Sequence, residues 1–183
     1  METIKLHLGC GKRDFGSDWI HIDGGDFPHL KYHNVTQLPF KDNTVDVIYA
    51  SHLIAYFDRE EIKTVLTEWK RALKSGGVLR LATPDFEEMI RLYGIGKVKL
   101  NDLLGPLYGK WSMSDKAIYH KTVYDFDSLL EVLKDIGFGD IKWYRWEDTE
   151  HSHFDDHSQA YMAPKGDKEN GTLISLNMEA IKK

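Results

Sequence analysis

Two short apolar runs, Ile4–Leu8 and Trp19–Asp23, stand either side of a turn that holds Gly9 and Gly11. Only Gly9 to Asp18 separate them. Parallel neighbouring strands are normally joined by a crossover of about a dozen residues or more, usually carrying a helix. The chain is therefore expected to open as a buried strand, a tight glycine turn and a second strand. The joining helix is reduced to a loop or a single helical turn.

The rest of the chain alternates in the same manner. Lys31–Val35 reads as a weak third strand and Val45–Ala50 as a strong, buried one. Ile62, Val65, Leu66, Trp69, Ala72 and Leu73 recur at helical spacing and predict an amphipathic helix. Asp58, with Glu61 three residues on, can cap its start, and Gly76 and Gly77 are expected to stop it. A strand at Val78–Ala82 follows, then a helix at Phe86–Tyr93 with Thr83 as cap and Pro84 in its first turn. Gly94 to Val123 reads as an irregular stretch with one helical turn near Leu100–Leu104, the length and character of a lid or binding loop. "DFDSLLEVLKDIGF" is a third helix with Leu129, Leu130, Val132, Leu133 and Ile136 inward and Gly137 at its end. Ile141–Trp146 is a strand, "HSHFDDHSQAYMAPKGDKENG" an exposed polar stretch, and Leu173–Glu179 a closing strand.

Strands that alternate with helices and finish in two strands predict an α/β fold. Its sheet is mostly parallel, covered on both faces, with the last strand inserted by a hairpin. Ligands of such sheets sit at the carboxyl ends of the strands. At 183 residues the chain suits one domain. Its net charge of −5 argues against nucleic acid as the main partner. The one cysteine, Cys10, excludes an intrachain disulfide and fits a reducing, cytoplasmic setting. No apolar stretch approaches the ~20 residues that span a bilayer, and no signal peptide is apparent, so no membrane partner is expected.

The glycine turn fails both familiar phosphate patterns. The dinucleotide fingerprint needs a third glycine where Asp14 stands, and Lys12–Arg13 do not complete a Walker loop. A ligand-free turn is one reading. Asp23, at the end of the next strand, supports another: a carboxylate there can accept hydrogen bonds from both hydroxyls of a ribose. Asp23 could equally cap Gly24–Gly25. Cys10 reads as a small packed residue rather than a nucleophile.

With these residues in view, the chain resembles the class I S-adenosylmethionine-dependent methyltransferases, and more narrowly the small bacterial methyltransferase type 11-like group. The resemblance lies in "KLHLGCGKRDFGSDWIHID", "LPFKDNTVDVIYASHL", "EWKRALKSGGVLRLATPDF" and "HKTVYDFDSLLEVLKDIGF", in order, with "DDHS" and "LISLNMEAIKK" near the end. It implies a Rossmann-like fold with a seven-stranded, mostly parallel sheet and a reversed last strand, in a single domain over residues 1–183. A lid or acceptor-binding insertion falls at 94–123. It implies S-adenosylmethionine as cofactor, lying on Leu8, Gly9, Cys10 and Gly11. Asp23 and Gly24 would stand at its ribose, Asn34 and Val35 at its adenine, and Ser51 and His52 at its methionine end. The sequence departs from the family pattern at Ala55 and Tyr56, where relatives carry an acid and a histidine.

The expected activity is in-line methyl transfer to a small-molecule or saccharide acceptor. A sulfonium is already activated, so a base is needed only for a weak nucleophile such as a hydroxyl. His52 and His120 are the candidates for that role. Tyr56, Trp111, Tyr119 and Tyr124 could line an acceptor pocket. Two other readings compete: a catalytically silent cofactor-binding module serving a partner protein, and a metal-dependent hydrolase built on His151, His153, Asp155, Asp156 and His157. For that cluster an exposed loop without metal is expected, and the resemblance implies that its "DDH", Asp155 to His157, could shape the acceptor pocket.

Overall fold

The computed structural model describes residues 3–113 and 116–183. In chain order its elements are β1 (Lys5–Leu8), β2 (Ile20–Ile22), β3 (Val45–Ser51), α1 (Glu61–Ala72), β4 (Leu73–Pro84), α2 (Phe86–Gly94), α3 (Leu100–Tyr108), β5 (Trp111–Met113), β6 (Lys116–Ile118), α4 (Phe126–Ile136), β7 (Phe138–Trp143), β8 (Tyr161–Met162), β9 (Thr172–Leu173) and β10 (Ser175–Lys182). Six of the described strands form one sheet in the order β2-β1-β3-β4-β10-β7. β1 pairs in parallel with β2 and β3, and β3 with β4, while β10 runs antiparallel between β4 and β7. This is the expected α/β architecture with its reversed last strand. Among the described residues no helix is long and apolar enough to cross a membrane.

Strand alternation gives the sheet two unlike faces. Leu6, Leu8, Ile48, Ala50, Leu79, Leu81, Met178 and Ala180 belong to the main core, together with Leu66 and Trp69 of α1 and Leu129 and Leu133 of α4. On the other face the paired positions read His21, His7, Tyr49, Arg80, Glu179 and Lys142 across the sheet. No helix joins β1 to β2; residues 9–19 form turns instead. They lay Phe15 and Trp19 over that face, Phe15 stacked 4.0 Å from His7. His151 and Phe154 stack on Phe15 from above, at 5.0 and 4.9 Å. A loop rich in rings thus does the covering that a helix normally does.

Several expectations need correction. The third strand at Lys31–Val35 reduces to one bridge, Ile22 to Tyr32, because Asn34 folds the chain away by accepting the Thr36 N–H at 2.8 Å. The sheet therefore has six strands where seven were expected. Gly76 and Gly77 do not stop α1. Leu73 is already extended, and Lys182 Nζ donates to the orphan carbonyls of Arg71 and Leu73 at 3.3 and 2.8 Å. Thr83 and Pro84 lie in β4, held there by pairing with β10, and Asp85 caps α2 by accepting the Glu88 N–H at 3.2 Å. The stretch after Gly94 holds a full helix, α3, and the β5–β6 hairpin, where an irregular stretch with one helical turn was expected. β7 starts at Phe138, three residues before the expected Ile141, and ends at Trp143. β10 starts at Ser175 rather than Leu173. The stretch after Glu150 is not wholly exposed: His151, Asp156, Ser158 and Gln159 are buried over the ring layer.

Candidate functional site

A cleft of about 1490 Å³ opens at the carboxyl ends of β1, β2 and β3. A site for one drug-sized molecule is usually ~300–1,000 Å³, so this cleft has room for two ligands side by side. Of the residues expected to bind a cofactor, Gly9, Gly11, Asp23, Gly24, Asn34, Val35, Ser51 and His52 all line it.

The cleft floor is the glycine turn. Gly9 and Gly11 have φ of +64° and +55°. A Cβ built on Gly9 would lie 2.9 Å from three side-chain atoms of Leu53, so both the backbone conformation and the space require glycine there. Asp23 is buried beside the turn. Its two carboxylate oxygens accept the Gly11 N–H at 2.9 Å and the Gly25 N–H at 2.7 Å. Asp23 thus caps the glycines and also lines the cleft. Leu8 and Cys10 were expected among the cofactor contacts and do not line the cleft; both are buried behind the turn. Burial, helped by the Asp23 charge, pushes the Cys10 thiol up to about 12, which removes its nucleophilic character at neutral pH. The Asn34 carbonyl oxygen accepts both the N–H and the hydroxyl of Thr36 at 2.8 Å, so its amide N–H₂ is the group left for a ligand.

Ser51 and His52 follow β3. Ser51 Oγ and His52 Nε2 are buried with no hydrogen-bond partner among the described residues, yet both residues line the cleft. Buried polar atoms without partners are rare in proteins and point to a missing ligand or water. His52 holds φ of +53°, unusual for a non-glycine residue. Burial, with His157, His120 and Arg13 nearby, holds His52 well below the ordinary imidazole range, so its ring is neutral. His157 stacks on it at 4.8 Å. His120 also lines the cleft, where its Nδ1 lies 3.0 Å from the Pro106 carbonyl and its ring meets Tyr56 edge-on at 4.6 Å. Tyr56 donates its hydroxyl to the Gly109 carbonyl. Burial also lowers His120.

Of the aromatic candidates, Tyr56, Trp111 and Tyr119 line the cleft, while Tyr124 packs in the main core. The β5–β6 hairpin lies over the glycine turn. Trp111 stands 3.5 Å from where a Gly11 Cβ would be, and the Met113 methyl fills the corresponding space at Gly24. Sequence reasoning missed Arg13 as a cleft residue, while His157 lines the cleft as the "DDH" resemblance implied. The signal for Arg13 was a basic pair straight after the turn. For His157 it was the "DDH" tripeptide, whose Asp156 starts the short turn that presents it. The histidine cluster does not converge: His151 and Asp156 are buried, His153 and Asp155 are exposed, and His157 faces the cleft. Among the described residues no group of three or more His, Cys, Asp or Glu could hold a metal ion.

A family model for the methyltransferase domain matches residues 19–81, from β2 into β4, which takes in Asp23, Ser51 and His52. The match begins after the glycine turn, where the short crossover departs from the usual pattern. The structure is similar over 98% of the chain to a SAM-dependent methyltransferase from Archaeoglobus fulgidus (TM-score 0.60, 15% identity, 86% of that chain covered). It is also similar to SAM-dependent methyltransferases from Methanosarcina mazei (TM-score 0.54, 18% identity, 99% of this chain and 92% of that one). A third similar structure is the 1,6-didemethyltoxoflavin-N1-methyltransferase of Burkholderia thailandensis, solved with bound 1,6-didemethyltoxoflavin and S-adenosylhomocysteine (TM-score 0.56, 12% identity, 98% and 71% covered). At these identities the likeness is one of fold. No curated protein matches the chain.

Proposed function

We propose that this chain, a class I methyltransferase by fold with a methyltransferase-domain match over residues 19–81, is an S-adenosylmethionine-dependent methyltransferase acting on a small-molecule or saccharide acceptor. The observation that carries the reading is the floor of the cleft, where the Asp23 carboxylate and the Gly9–Gly11 turn sit at adjacent strand ends. The same cleft holds the partnerless Ser51 Oγ and His52 Nε2. These donors and acceptors suit a cofactor that has ribose hydroxyls, no phosphate and a positive sulfonium.

When bound, S-adenosylmethionine supplies a methyl group on a sulfonium that needs no further activation. The chain's own residues then have positioning roles. Asp23 has lone pairs left to accept ribose hydroxyls. The Gly9–Gly11 backbone, bare of side chains, admits close approach. The Asn34 amide and Val35 border the adenine end. His52, held neutral by its surroundings, can accept a proton from an acceptor hydroxyl, and His120, which also lines the cleft, is the second candidate. Trp111 and Met113 on the hairpin close off water above the turn, which favours an in-line displacement. Residues 94–123 thus act as the acceptor-side wall of a single domain. The unpaired Cys10 fits a cytoplasmic setting.

Calorimetry with S-adenosylmethionine and S-adenosylhomocysteine tests the reading. Wild-type protein is expected to bind both. Asp23→Ala and Asp23→Asn are expected to bind about 100-fold more weakly, since two charge-assisted bonds are worth about 3 kcal/mol together. If wild-type protein binds neither, the reading falls. Binding without turnover against a panel of hydroxyl and amine acceptors would favour the silent module instead.

A further inference from the structure

The helix that walls the cleft leaves part of its apolar stripe uncovered. On α3, Leu103 is buried and Leu107 half-buried, both packed against Met89, Leu92 and Val98. On the solvent side of the same helix, Leu100, Leu104 and Tyr108 repeat at i, i+4 and i+8 and are exposed. Ile95 before the helix and Trp111 after it are exposed too. The α3 residues make one wide apolar stripe, buried along one edge and bare along the other, and a bare apolar edge of that size marks an interaction surface.

The charge around this stripe says what the partner is. Residues 94–123 carry five lysines (Lys97, Lys99, Lys110, Lys116, Lys121) against Asp102 and Asp115, a balance of +3 in a chain of −5, so the remainder stands at −8. Lys121 pairs with Glu61. Lys97, Lys99 and Lys110 are exposed and enter no ion pair among the described residues; Lys97 and Lys110 also line the cleft. Exposed aliphatic and aromatic side chains on a short helix flanked in sequence by lysines are the composition of a segment that lies in the headgroup layer of an anionic bilayer. A symmetric pair of chains would set the same lysines against themselves, which opposes a second copy. A nucleic acid would use the lysines and leave Leu100 and Leu104 without a role.

We propose that α3 with its flanking lysines docks on an anionic lipid surface, placing the mouth of the cleft beside the headgroups. This needs no spanning segment. Because α3 also lines the cleft through Asn101, Asp102 and Gly105, docking and access to the cleft are linked.

Co-sedimentation of the full chain with vesicles tests this. Vesicles of phosphatidylcholine with about one-third phosphatidylglycerol are expected to bind it, pure phosphatidylcholine is not, and raising salt from about 50 to about 300 mM is expected to release it. Lys99→Gln and Lys116→Gln, neither of which lines the cleft, should each weaken binding about fivefold. Leu100→Ser with Leu104→Ser should weaken it further. Circular dichroism and S-adenosylhomocysteine affinity of each variant, unchanged from wild type, show that the fold and site persist. The proposal is overturned by no binding to the anionic vesicles, by equal binding to both vesicle types, or by variants that bind like wild type. It is overturned equally if the leucine variant abolishes a concentration-dependent dimer, or if single-stranded RNA binds with the same lysine dependence while vesicles do not.

Discussion

Lowering the pH should unfold this protein through its ring layer, and His151 gives the effect a magnitude. Its side chain lies among Phe15, Trp19 and Tyr49, with centroid distances of 5.0, 5.4 and 4.2 Å. Neither ring nitrogen has a hydrogen-bond partner among the described residues. Burial pushes its pKa from the ordinary 6.5 down to about 4, and Arg80 and His153 nearby push the same way. Asp156 and Glu150 oppose them without prevailing. The folded state therefore prefers the neutral ring. Above pH 6.5 the ring is neutral in both states and titration costs nothing. Below that pH the unfolded chain takes up a proton that the folded chain refuses. Stability then falls by about 1.4 kcal/mol per pH unit until the folded ring also titrates. The interval from 6.5 to about 4 costs about 3 kcal/mol, a large share of the ~5–15 kcal/mol that holds a typical domain together. His7 and His52, both held well below the ordinary value mainly by burial, add losses of the same sign. The assay is urea unfolding at pH values from about 7.5 down to about 4.5, for wild type, His151→Phe and His151→Leu. Both variants should lose less stability than wild type across that range, by about 3 kcal/mol at its acid end. If all three lose stability equally, His151 is not neutral through burial and the reasoning fails.

Two further substitutions test the site and the core. Gly9→Ala combines a left-handed φ with a Cβ 2.9 Å from Leu53 and should cost about 2–4 kcal/mol, read as a lowered urea midpoint; it should also weaken S-adenosylhomocysteine binding because Leu53 lines the cleft. Leu133→Ala, which empties a fully buried position between α4 and the sheet, should cost about 2–5 kcal/mol in the same assay while leaving cofactor affinity unchanged.

Where local signals were strong, the sequence was enough. The helical spacing from Ile62 to Ala72 gave α1, and Asp58 and Glu61 bond each other's backbone N–H as a capping box does, at 2.8 and 3.0 Å. "DFDSLLEVLKDIGF" gave α4, with Asp125 and Ser128 at its start and Gly137 left-handed at its end. The glycine turn, Asp23, Ser51 and His52 were legible as one site because strand ends of a parallel sheet meet at one edge. Leu8 and Cys10 lie behind the cleft and not along it because successive residues of a strand and turn point to opposite sides, and only the packing of the sheet says which side holds the cleft.

By itself the sequence determined the alternation of strands and helices, the missing first helix and the glycine floor. Each of these is set by the period of apolar residues or by backbone freedom within a few positions. Tertiary structure alone decided what covers the helix-free face of the sheet. His7, Tyr49 and Arg80 look like polar interruptions in strands, and "HSHFDDH" looks like a solvated loop. Their burial together depends on contacts such as the Tyr49 hydroxyl donating to Asp156, 107 positions apart in the chain. No local pattern encodes such a pairing, because its stability comes from water excluded between two segments that meet only after the sheet has formed.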